Sequence, residues 1–281
     1  MMFERNYYYL VAGLPDLVLD QKKLPLSLME FRDELEYHLP EGDFELVKLL
    51  FYQFDNQNLL NLLQKSKEGF IESGMFPPSM LEEEVKEPSA LPLYMQQFIH
   101  AFRNESSLFE NHSWENQLTW LHYEHLLATR NEFLAEWFEF DLNIRNILSA
   151  FNVRKFKLPK ETAFIGDNFV AEALKRSTLK DFGLSNDFPM IEKLLSIEES
   201  DSVLEKEKAV DMLRWDFLNE LNTFNYFTIE VLLAFVLKLM MVERWIFLDP
   251  ETGRGMFKKM ISELEKSYEF PKEFRLNEVR K

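Results

Sequence analysis

NEFLAEWFEFDLNIRNILSAFNVRKF, residues 131–156, is the stretch whose reading decides the fold. Leu134, Trp137, Ile144, Leu148 and Phe151 recur there at helical spacing, which lays them along one stripe of an α-helix. Asp141 fills the register position between Trp137 and Ile144. Glu132, Glu136, Glu139, Asn143 and Asn146 take the opposite face, so the helix reads as amphipathic with one carboxylate pointing inward. A carboxylate among apolar groups needs a partner. Arg145, four residues on and in the acid-before-base order, offers one within the same helix.

Working outward, neither proline nor glycine occurs between Pro92 and Pro159. Leu93 to Arg103 reads as one helix and Asn104 to His112 as a polar turn. Ser113 then caps a very long helix from Trp114 to about Asn152, roughly 60 Å at 1.5 Å per residue. Arg154, Lys155, Lys157 and Lys160 follow. Basic groups there complement the helix dipole, or form a docking patch for an acidic partner or lipid headgroups.

Toward the N-terminus, Tyr7 to Leu14 fits either a buried strand or a helical turn. Ser27-x-x-Glu30 has the form of a capping box, so a helix starts at Leu28 and stops before Pro40. Asp43 is placed to cap an antiparallel partner running through Phe44, Val47 and Leu50 to Leu63. Between Glu68 and Pro92, two glycines, four prolines and the acidic run Glu82-Glu83-Glu84 read as a linker or excursion, the charge run solvated. Beyond Pro159 the pattern gives helices over 167–177, 188–197, 202–221 (opening on a second capping box, Ser202 and Glu205), 228–247 and 255–268. The resulting units are 1–67, 68–92, 93–158 and 159–281.

The apolar helix 228–247 repeats a feature of the first stretch. Leu134, Trp137, Asp141 and Ile144 match the spacing of Val236, Leu239, Glu243 and Ile246, with an acid at the same place in each stripe. This suggests an internal repeat.

Composition agrees with helices. The 281 residues hold only 8 Gly and 11 Pro against 27 Phe, which predicts an all-α, elongated multi-helix protein. The formal net charge of −16 argues against broad nucleic-acid binding, because phosphate contact needs a basic surface. With no cysteine, there is no disulfide framework, thiol nucleophile or cysteine zinc site. The longest apolar run, Val231 to Val242, is interrupted by Lys238 and falls short of the roughly 20 residues of a spanning helix. No signal peptide is read at the N-terminus, and a soluble, cytoplasmic protein that meets a membrane only through partners is expected.

Catalytic motifs are scarce. His122 and His125 share a helix face, with Glu115 two turns earlier, which offers a metal-binding or enzymatic alternative. The Glu-x-x-His and His-Glu-x-x-His patterns of helical metal sites are absent, so no metal or cofactor is assigned. Asp181-Phe182-Gly183 matches a kinase tripeptide in letters, with no glycine-rich loop before it. No P-loop and no G-x-S-x-G occurs.

The run Asp141-Leu142-Asn143-Ile144-Arg145-Asn146-Ile147-Leu148 resembles the acid-led helix of the C (or d) subunits of archaeal-type and vacuolar-type rotary ATPases. It departs from that pattern at Ser149-Ala150-Phe151, where basic residues usually follow. The opening Asn6-Tyr7-Tyr8-Tyr9-Leu10-Val11-Ala12-Gly13-Leu14-Pro15-Asp16-Leu17 resembles a family of bacterial proteins associated with such ATPases, thought to stand in for that subunit. The resemblance implies three similar helical units and a non-catalytic adaptor between the membrane rotor ring and the central stalk. It further implies that Asp141 and Glu243, with Arg145 and Arg244 nearby, lie where helices converge, holding the interior or meeting the stalk; Asn143 is counted with them as a partner-binding or structural polar residue. The segment Arg154, Lys155, Lys157 and Lys160 would be the exposed partner contact. An unrelated helical scaffold remains the other reading of the same pattern.

Overall fold

The computed structural model describes residues 5–248, and every regular element among them is an α-helix. The aromatic opening forms one turn, α1 (Tyr8–Ala12), and the Tyr7 hydroxyl in front of it donates to Asp43. α2 (Leu28–His38) opens on the expected capping box. Ser27 Oγ accepts from the Glu30 N–H at 3.1 Å, and the Glu30 carboxylate accepts from the Ser27 N–H at 3.2 Å. α3 (Glu41–Gln64) starts directly after Pro40, earlier than expected. Asp43 therefore lies inside its first turn and holds Tyr7 instead of capping.

The segment after α3 is pinned. Asn58 exchanges two hydrogen bonds with the Ile71 backbone, at 2.9 and 2.8 Å, and the buried Asp55 accepts from the N–H groups of Met75 and Phe76 at 2.9 and 3.0 Å. Gly74 permits this approach, since a Cβ there would lie 2.4 Å from Asp55 Oδ1. α4 (Pro78–Glu84) follows. The acidic run is not wholly solvated as expected: Glu84 is buried and accepts from the N–H groups of Ser89, Ala90 and Leu91, tying down the approach to the next helix.

α5 (Leu93–Arg103) ends where expected, but the long helix from Trp114 to Asn152 divides into α6 (Trp114–Leu127) and α7 (Glu132–Phe156). The break has a local cause. The Asn131 side chain accepts from the Leu134 N–H at 2.9 Å and starts a new helix, while Thr129 Oγ1 takes the Asn131 N–H at 3.3 Å. α7 coincides with the stretch singled out in the sequence. Its polar face does not read as expected, however. Glu132, Glu136 and Glu139 are exposed, but Asn143 and Asn146 are buried because residues 162–168 fold back over them. Asn146 donates to the Ile165 carbonyl at 2.7 Å and accepts from its N–H at 2.9 Å, and Asn143 accepts from Asn168 at 2.8 Å.

α8 (Phe169–Arg176), α9 (Met190–Glu198), α10 (Val203–Leu221) and α11 (Ile229–Leu248) complete the described chain. At α10 only half of the expected capping box forms. Ser202 accepts from the Glu205 N–H, while the Glu205 carboxylate takes the Ser200 hydroxyl at 3.2 Å. The helix expected at 255–268 lies outside the described residues.

α3 packs against α2, α4, α5, α6 and α11; α7 packs against α6, α8 and α10; α11 returns to α1, α2 and α3 and so closes the arrangement. The larger apolar cluster joins α7 to the later helices and to α2 and the start of α3. A smaller one, built on Tyr52, Leu59, Leu81, Phe98 and Leu118, joins the end of α3 to α4, α5 and α6. Among the described residues no helix is long and apolar enough to cross a membrane.

Candidate functional site: a charged neck in a helical cleft

Asp141 does not pair with Arg145. Its Oδ1 accepts from Arg214 Nε on α10 at 2.8 Å, and its Oδ2 accepts from the Tyr123 hydroxyl on α6 at 2.6 Å. An ion pair between helices therefore replaces the expected pair within one. Arg214 reaches Asp211 on its own helix at 3.3 Å, and the nearly inaccessible Asp211 also accepts from Arg244 and, at 2.8 Å, from Trp245 Nε1 on α11. Arg244 reaches outward to Glu207 at 3.5 Å. One connected chain of charge thus links α6, α7, α10 and α11.

Its electrostatics are self-consistent. Burial opposes the charge on Arg214, but Asp141 and Asp211 outweigh it and hold the guanidinium protonated. Burial, reinforced by the Asp141 carboxylate, keeps the Tyr123 phenol protonated and therefore a donor. Glu243 sits outside this chain. Burial pushes its carboxyl up against a weaker opposing contact with the Leu28 backbone, so the two acids matched in sequence have different surroundings. Their apolar neighbours do correspond, since Leu134, Trp137 and Ile144 are buried like Val236, Leu239 and Ile246.

The charged neck opens into a cleft of about 900 Å³ bounded by α3, α6, α7, α10 and α11, and into a second hollow of about 730 Å³ toward residues 158–165. Tyr123, Asp141, Arg145, Arg214 and Arg244 border both. Arg145 is exposed there and makes no ion pair or hydrogen bond with a described residue.

The histidine pair has a different surrounding. His122 is buried and stacks on Tyr94 with ring centroids 5.6 Å apart, and His125 packs on the same ring at 4.9 Å. Burial, with His125 and Arg145 adding to it, drives the His122 imidazole down to about 3, so it is neutral at physiological pH. Among the described residues no three histidine or acidic side chains gather to hold a metal ion.

The basic segment after α7 is split in role. Arg154 donates to the carbonyls of Leu179 and Lys180 and lies over the Phe182 ring at 3.5 Å, so it fastens the Asp181-Phe182-Gly183 turn and is not a free contact. Lys155 approaches Glu198 at 4.0 Å. Lys157, in left-handed backbone at the helix end, is exposed, and Lys160 is partly so.

Arg214 and Asp211 were missed in the sequence. The signal was present: they precede the buried Leu218 by steps of four and three, charges at core register positions like Asp141.

Fold and site together define an all-α protein whose interior charges bind helix to helix. The chain belongs to the family described as Protein of unknown function (DUF2764), whose model matches residues 4–268. No curated protein and no solved structure matches the chain.

Proposed function

We propose that the protein is a non-catalytic adaptor subunit of a bacterial archaeal/vacuolar-type rotary ATPase, coupling the membrane rotor ring to the central stalk. The observation that carries this reading is the use of Asp141, the acid that leads the resembling helix. It ties α7 to α6 and α10 through Tyr123 and Arg214, at 2.6 and 2.8 Å. An element that passes on torque must not yield under load, and close-packed helices cross-tied by satisfied charges meet that demand. His122, on which the metal-binding or enzymatic alternative rests, is neutral and stacked on Tyr94, a packing role that favours the adaptor reading.

The test is purification of the tagged full chain from its native cell under gentle detergent, with mass spectrometry of what accompanies it. Stalk and rotor subunits at near-stoichiometric level are expected. A clean preparation without them, from cells shown to contain the ATPase, refutes the reading.

A further inference from the structure

The cleft above the charged neck has features that its helix-tying role does not use. Its walls are mixed, with Leu126, Trp137, Phe138, Leu237 and Met240 among the apolar part, and its volume of about 900 Å³ lies near the upper end of the roughly 300–1,000 Å³ of small-molecule sites. At its charged neck it also carries His122 and Arg145.

Two independent observations there call for an anion. Arg145 is the cleft arginine without a carboxylate among the described residues, whereas Arg214 and Arg244 are engaged by Asp141, Asp211 and Glu207. His122 is 8 % exposed, and its Nε2 is buried with no hydrogen-bond partner among the described residues. A buried polar atom left in that condition is destabilising, so its satisfaction by a ligand would be favourable. A neutral imidazole carrying its proton on Nε2 offers one N–H, and the adjacent guanidinium offers charge-assisted donors. The pair is complementary to an oxyanion and repels a cation. The remaining acids of the lining do not reverse this sign: Asp141 and Asp211 are already paired, Glu115 is exposed at the rim, and burial pushes the half-buried Glu243 carboxyl up, against its charged form.

We propose that this cleft binds an amphiphilic organic anion, a carboxylate on an aliphatic body, with the carboxylate between Arg145 and His122 and the body along Trp137, Leu126 and Met240. The inference is separate from the adaptor reading and is measured on the isolated chain, so failure of either leaves the other standing.

The test uses three probes on the purified full chain, by titration calorimetry: decanoate, the neutral decanol of equal length, and inorganic phosphate. Decanoate, below its micellar concentration, is expected to saturate at one per chain, with decanol and phosphate each at least tenfold weaker. Arg145→Met is expected to weaken decanoate about tenfold while leaving decanol unchanged. Because Arg145 makes no ion pair or hydrogen bond with a described residue, that variant is expected to keep the melting temperature of the parent. His122→Phe, which preserves the stacking on Tyr94, is expected to show the same selective loss. Absence of saturable decanoate binding overturns the proposal, as does binding that decanol or phosphate matches or that Arg145→Met leaves intact.

Discussion

Arg214→Met tests the helix ties most directly. Methionine keeps much of the aliphatic stem and removes the guanidinium that Asp141 and Asp211 share, at 2.8 and 3.3 Å. Asp141 would retain only the Tyr123 hydroxyl; Asp211 would keep Arg244 and Trp245. Removing one partner of a buried ion pair typically costs about 3–5 kcal/mol, because the other charge is left without compensation. Here the Arg214 and Asp141 side chains are 19 % and 24 % exposed, so water recovers part of the loss and about 3 kcal/mol is expected. For a chain of this size that corresponds to a fall in Tm of roughly 6–12 °C. The assay is urea unfolding followed by circular dichroism, with Asp141→Asn and the double variant completing a cycle. A coupling of about 1–3 kcal/mol between the two sites is expected. A stability within about 0.5 kcal/mol of the parent for Arg214→Met, or a cycle that closes near zero, would refute the view that this pair holds α7 to α10.

Four further outcomes follow from the same geometry. Asn146→Ala strands the N–H and C=O of Ile165 beneath residues 162–168 and should cost about 2–4 kcal/mol in the same unfolding assay. Gly74→Ala places a Cβ against Asp55 Oδ1 and should destabilise by about 1–3 kcal/mol, with faster proteolysis of the 65–77 segment as its local signature. Arg154→Glu should lower Tm in the isolated chain, because Arg154 fastens the 179–182 turn, whereas Lys157→Glu with Lys160→Glu should leave Tm unchanged and weaken only assembly, read by co-purification. Because the folded His122 lies at about 3, below its ordinary 6.5, it supports stability above pH 6.5 and withdraws it as pH falls toward 3; His122→Phe should flatten that acid limb of a Tm-against-pH profile.

The sequence made α7 and α2 legible because their signals are local: a helical stripe in one, a capping box in the other. It misread the length of α6 because Ala128-Thr129-Arg130-Asn131 contains neither glycine nor proline. The break there depends on an asparagine competing for a backbone N–H, which residue counting does not register. Asn143 and Asn146 were placed in solvent for a related reason. Helical spacing reports which residues share a face, not what folds back over that face, and the covering segment at 162–168 lies well beyond the helix. Asp141 was recognised as anomalous but given the wrong partner. Arg145 is near in sequence, while Arg214 is separated from Asp141 by 73 positions and becomes adjacent only when α10 packs on α7.

That long-range partner explains why an ion pair is kept where apolar side chains would pack more cheaply. A buried pair often contributes no more stability than a well-packed apolar replacement of similar volume, so stability alone does not account for the Asp141–Arg214–Asp211–Arg244 chain. Register can. α7 meets the later helices through α8 and α10, and an apolar contact with α10 would tolerate a slide of one helical turn, whereas the Nε bond from Arg214 to one oxygen of Asp141 fixes rotation and translation together. The concurrent replacement Asp141→Leu, Arg214→Met and Asp211→Leu, with Tyr123→Phe and Trp245→Phe removing the donors those carboxylates would leave unpaired, separates the two contributions. If the charges set register, this combined variant should unfold at a urea concentration close to that of the parent yet give broadened amide spectra from α7 and α10. If it loses several kcal/mol and keeps sharp spectra, the charges are simply stabilising and the register argument fails.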